Sequence, residues 1–134
     1  MPIFATEPTN HLGWTLSELR SSFPQLVKVE EKNGVVVYGQ GVTTDGMVTY
    51  YVLADNVVFQ EKTIFSSRDS TSRKLFNLMV KDVYMPLYSD KIVSKDDNYI
   101  QFKFETFIMD IIYYEDKDYI KRTMIQYRLI VNSK

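Results

Sequence analysis

Asp110 is singled out by its surroundings, because it stands inside the apolar run Phe107-Ile108-Met109-Asp110-Ile111-Ile112. A carboxylate buried in such a run loses hydration, so its pKa rises and it can act as a general acid. Strand alternation gives a plainer expectation, in which Asp110 lies on the wet face with Ile108 and Ile112 beside it. A second concentration of chemistry is Ser66-Ser67-Arg68-Asp69-Ser70-Thr71-Ser72-Arg73-Lys74, just ahead of an apolar helical pattern. Unpaired amides at a helix amino end favour anions, so Ser70, Thr71, Ser72, Arg73 and Lys74 form a candidate anion site. The plainer reading has Asp69 or Ser70 capping the helix while the basic groups stay in water.

Aromatic residues are the third candidate: 10 Tyr, 8 Phe and one Trp, 14% of the chain. Neighbours in a strand point to opposite faces, so one member of each pair Tyr50-Tyr51 and Tyr113-Tyr114 is expected outside the main core. Exposed tyrosines are rigid contact points for a protein partner, although tyrosine also packs half exposed in strands for its own sake. Other chemistries find little support. His11 is the only histidine and lies in an irregular leader with no evident restraint around it, which argues against a Ser-His-Asp triad or imidazole ligation. The chain has no cysteine, hence no disulfide, thiolate nucleophile or zinc knuckle. Asp96-Asp97-Asn98 and Glu115-Asp116-Lys117-Asp118 lack the spacing of a calcium loop and read as hairpin turns. No glycine-rich strand-to-helix loop is present for phosphate. Neither a metal nor a cofactor is expected.

The elements that must position these residues follow from periodicity. Thr15-Leu16-Ser17-Glu18 is a capping box, with Trp14 and Leu19 spaced as a hydrophobic staple, and Leu16, Leu19 and Phe23 share a face up to Pro24. Four strands follow. Asn33-Gly34 forms the first reversal, with Val27 to Glu30 before it and Val35 to Tyr38 after; Asp45-Gly46 and Asp55-Asn56 form the next two. Leu75, Phe76, Met79, Val80, Val83, Tyr84 and Leu87 then recur at helical spacing, a long amphipathic helix that Pro86 should end or kink. Ile92 opens further strands. Ile100, Phe102 and Phe104 alternate with Gln101, Lys103 and Glu105, and a last strand sets Tyr119, Thr123, Ile125, Tyr127, Leu129 and Val131 on the face of Lys121.

The predicted fold class is therefore α+β, a mostly antiparallel sheet of about seven to eight strands packed against one long helix, with a short N-terminal helix. The order suggests a degenerate tandem helix-plus-four-strand repeat. The correspondence fails at one point, because Gly41 to Gly46 has no counterpart; Glu105-Thr106 lacks turn chemistry and reads as a bulge within one long strand. Residues 1–13 form an extended leader and 14–134 a single domain, in keeping with 134 residues of which 45% are hydrophobic. With 16 basic and 17 acidic residues, net charge −1, no global field draws the chain to nucleic acid or an anionic membrane.

The leader ending in Gly13-Trp14-Thr15-Leu16-Ser17-Glu18-Leu19, the short helix stopped at Phe23-Pro24 and the β-meander resemble small bacterial envelope lipoprotein domains of the β-lactamase-inhibitor-protein-like type. That resemblance implies a periplasmic or cell-envelope binding or assembly module, with any membrane tether supplied by a leader removed ahead of Met1. It carries no functional residue onto this chain. The expected function is non-enzymatic protein–protein interaction through an aromatic sheet face or edge, with Tyr50, Tyr51, Tyr113 and Tyr114 as contact residues. The alternative is a small-ligand-binding or hydrolytic domain with a pocket between sheet and helix.

Overall fold

A computed structural model of the chain describes residues 7–42, 46–65 and 69–130. The first helix, α1 (Leu16–Ser22), begins at Thr15, whose hydroxyl accepts from the Glu18 amide while the Glu18 carboxylate accepts from the Thr15 amide at 2.8 Å. Such a reciprocal cap satisfies two amides that a helix start leaves open. Four strands follow: β1 (Val27–Lys32), β2 (Val35–Val42), β3 (Met47–Ala54) and β4 (Val57–Phe65). Asn33 and Gly34, with φ of 53° and 82°, turn the first hairpin, and Asp55 and Asn56, at 50° and 67°, turn the third. Positive φ at both central residues is what a tight hairpin with right-handed twist requires.

The second half repeats the order. Helix α2 (Asp69–Leu78) passes into a π-helical turn (Met79–Tyr84), a short helix α3 (Met85–Tyr88) and a 3₁₀ turn (Ser89–Lys91). Pro86 therefore does not end the helix; it lies inside α3. The accommodation is made one turn earlier, where the Met85 amide bonds to the Val80 carbonyl five residues back. A proline cannot donate and crowds the carbonyl four residues before it, and widening the preceding turn relieves that conflict. Four more strands follow: β5 (Ile92–Asp96), β6 (Tyr99–Lys103), β7 (Phe107–Glu115) and β8 (Lys121–Leu129).

All eight strands form one antiparallel sheet in the order β1-β2-β3-β4-β8-β7-β6-β5, so the last strand of each half meets the other at the centre. Two sequence expectations need correction here. Phe104 to Thr106 is a true reversal and not a bulge, because β6 and β7 pair with Lys103 opposite Ile108 and the Phe104 amide bonds the Phe107 carbonyl at 2.9 Å. The bend forms without Gly, Asn or Pro, and the Thr106 carbonyl is held by the Ile130 amide at 2.9 Å. Tyr119 does not share the face of β8. It sits in the preceding turn with φ of 62° and is 81% exposed. Val131 lies outside the described residues.

Two apolar clusters lie on one side of the sheet. Leu19 of α1 is buried with Tyr38, Tyr51, Leu53 and Val58, and Trp14, Leu16 and Phe23 pack around them. Phe76, Met79, Val80 and Tyr88 of the second helical segment are buried with Ile100, Phe102, Met109, Ile111, Ile125 and Tyr127. Each such side chain contributes on the order of 1.5–3 kcal/mol by leaving water. Polar bonds also tie α2 down: the Thr123 hydroxyl donates to the Ser72 carbonyl at 2.7 Å, and the Ser72 hydroxyl to the Lys121 carbonyl at 3.1 Å.

Candidate functional site

Alternation places the partners of these core residues on the opposite face of the sheet. One cross-strand row runs Gly39 on β2, Tyr50 on β3, Lys62 on β4, Gln126 on β8, Asp110 on β7 and Gln101 on β6. The row beside it is Val48, Ile64, Met124, Ile112 and Tyr99. This outer face is thus striped, one row polar and the next apolar.

Asp110 anchors the polar row. Its Oδ1 accepts from the Tyr99 hydroxyl and from Gln101 Nε2, both at 2.9 Å. Its Oδ2 accepts from Gln126 Nε2 at 3.3 Å and from Arg128 Nε at 3.4 Å, and Gln126 in turn accepts from Gln60 Nε2 at 2.8 Å. Asp110 is 3% exposed, so it is neither on a wet surface nor in the apolar core. Long polar side chains of both neighbouring strands close over it. The expectation of a solvated Asp110 fails because a central strand position is covered by its cross-strand neighbours. Four donors converge on the carboxylate, and a buried acid so occupied is an organiser of the surface. The Tyr99 hydroxyl feels the same site: burial, then the bond to Asp110, push its pKa up to about 12.

The four tyrosines divide by face. Tyr50 and Tyr114 lie on the outer face, and burial raises the Tyr114 pKa while Arg122 opposes the rise. The Tyr50 ring lies against Gly39, where a side chain would meet it at 3.6 Å. Tyr51 and Tyr113 point to the helix side and take no part in an outer surface. Tyr51 is buried and donates to Gln40 Oε1 at 3.2 Å; Tyr113 lies under the Arg73 guanidinium at 4.9 Å.

The anion-site candidates do not converge. Ser72 is fully buried and engaged with β8, and Arg73 reaches Asn98 Oδ1 at 2.7 Å and the faces of Phe76 and Tyr113. Thr71 and Lys74 are exposed, and the Ser70 side chain lies outside the described residues, as do Ser66, Ser67 and Arg68.

His11 departs furthest from expectation. Its amide donates to Glu61 Oε1 at 2.7 Å, and its Nδ1 lies 3.2 Å from Oε2. The ring meets Trp14, Phe23 and Tyr51 edge-on at centroid distances of 4.7, 5.2 and 5.7 Å. The restraint comes from a residue fifty positions away, and the leader is fixed further by the Gly13 amide on the Val58 carbonyl at 2.8 Å. Burial, then the Glu61 charge, hold the Tyr51 phenol neutral well above its ordinary range. No nucleophile stands in this cluster; it fastens the leader to the sheet. The clefts described border α1 and the strands beside it, among them one lined by Leu16, Arg20 and Asn56 and another by Phe23, Pro24 and Gln40.

Sequence reasoning missed Tyr99, Gln101, Gln126, Arg128 and Lys62 as members of one surface. The only signal was their alternation with core residues; the register that aligns them is not local information. No family model matches the chain, and comparisons with curated proteins and with solved structures likewise find no match.

Proposed function

We propose that the chain is a non-enzymatic binding or assembly module whose outer sheet face docks a protein partner. The observation that carries this reading is the asymmetry of the sheet. Both helical segments share buried clusters with one face, while the other carries a striped surface of Tyr50, Tyr99, Tyr114, Ile64, Ile112 and Met124 around the Asp110 network. These side chains are half-buried by one another and, among the described residues, uncovered by any helix, the condition of a surface prepared for contact.

The face is a better contact than either edge. β1 shifts register between Lys28 and Glu30, and β5 between Ile92 and Ser94. Both are lined with charge, including the Lys28 and Glu31 ion pair on β1. Bulges and charges are the usual means of preventing strand addition at an edge. The resemblance to envelope lipoprotein domains supports an extracytoplasmic setting, and the repeated order of one helix and four strands supports descent from a duplicated unit.

Photoreactive phenylalanine analogues at positions 50 and 114, with Leu78 on the helix side as control, test the reading in cells that express the protein natively. Adducts should form from the two outer positions. Adducts from Leu78 alone, or none at all, would overturn it.

A further inference from the structure

We infer that the partner offers an acidic protein surface, an inference that rests on the docking role proposed above. The whole chain is slightly acidic, with 16 basic and 17 acidic residues. Its charges are not spread evenly over the two faces. On the outer side of the four strands β4, β8, β7 and β6, the paired rows bring up Lys62, Arg122, Arg128 and Lys103. The one carboxylate among them is Asp110, which is buried beneath its donors. Other acidic groups stand at the end of β5, where Asp96 lies opposite Tyr99, and in turns, as at Asp97, Asp116 and Asp118. A partner approaching the two rows that carry Lys103, Arg128 and Lys62 meets cations and apolar side chains, while Asp96 and Asp116 border the rows beyond them.

The cations differ in readiness. Arg122 is held by Asp116 at 2.9 Å, and Arg128 leans on Asp110 at 3.4 Å with 43% of its side chain exposed. Lys62 and Lys103 have no ion-pair partner among the described residues. Lys62 and Arg128 sit on adjacent strands one diagonal step apart, roughly 7–8 Å between backbones. Alongside them runs the apolar row from Val48 to Tyr99. The geometry suits carboxylates set beside a small apolar patch, where partly desolvated pairs add specificity and speed of encounter. Nucleic acid is a poorer fit, because two of the four cations are already engaged and the described residues form no continuous phosphate track.

Charge reversal of the two free lysines tests the inference. In the crosslinking experiment at positions 50 and 114, the Lys62→Glu/Lys103→Glu double variant should lose adducts at least tenfold. Lys62→Arg/Lys103→Arg should keep them, as should Lys117→Glu in the exposed turn, and circular dichroism should match wild type for each. The crosslinked peptide, read by mass spectrometry, should lie in an acidic stretch of the partner. Undiminished adducts in the double glutamate variant would overturn the acidic partner while leaving the docking face intact, and adducts removed by nuclease would overturn it in favour of nucleic acid. Absence of adducts in the unsubstituted protein would overturn both readings.

Discussion

Asp110 and Glu61 are both carboxylates withdrawn from water in mid-strand, and each is kept there by a different set of donors. For Asp110 the donors are side chains of neighbouring strands, so Asp110→Ala strands the Tyr99, Gln101 and Gln126 donors. The loss should be about 2–4 kcal/mol in urea denaturation. The same substitution should bring the Tyr99 pKa down from about 12, though not fully to its ordinary value, because burial is the larger cause. The sign of its linkage is fixed: a phenol whose folded pKa is raised favours the native state fully below the unfolded value of about 10. That contribution disappears as pH rises through about 12, and ultraviolet titration of the phenolate checks it. For Glu61 the donor is the His11 backbone, so Glu61→Ala should cost about 1–3 kcal/mol and speed hydrogen exchange at Gly13 and Val58. Asp110 was marked by its apolar neighbours, but the partners of neither carboxylate were legible beforehand. A capping box spans three residues and can be read along the chain, whereas Glu61 meets His11 across fifty and Asp110 meets Arg128 across eighteen.

The elements were more open to reading than the sites, for reasons that lie in their chemistry. Asn33-Gly34 announces its hairpin because few residues tolerate φ of 53° and 82°. Gly34→Ala should cost about 1 kcal/mol through that backbone strain alone, since no atom lies within 4 Å of the added carbon. Phe104 to Thr106 turned without such residues and was hidden for that reason. Pro86 disrupted the helix as proline does, but the disturbance appeared upstream as a π turn and the helix resumed. The turn before β8 depends on Asp116, which accepts from the Asp118 and Ile120 amides at 2.8 and 3.0 Å and from Arg122 Nε at 2.9 Å. Those bonds, the Ile120 amide first, depress its pKa. A carboxylate with a lowered folded pKa favours the native turn above its unfolded value and loses that effect as pH falls through the folded one. Amide exchange at Asp118 and Ile120 should therefore quicken in acid, and Asp116→Asn should make it fast and insensitive to acid.

At the scale of the molecule, the two apolar clusters share Leu12, and the sheet is continuous through the β4–β8 seam. Both halves should therefore unfold together. Fluorescence of Trp14, the only tryptophan and a resident of the first cluster, should change at the same denaturant concentration as far-ultraviolet circular dichroism. An earlier Trp14 transition would mean that the seam does not couple them. That seam also sets a schedule during synthesis. β4 ends at Phe65 and its partner β8 begins at Lys121, 121 − 65 = 56 positions later. At ordinary translation speeds of about 5–20 residues per second, the nascent chain carries β4 with one edge unpaired for on the order of 3 to 10 s. Until the final hairpin leaves the ribosome, the first half has the bonding row of β4 open to any passing polypeptide, which makes this interval the natural moment for a chaperone to attend it.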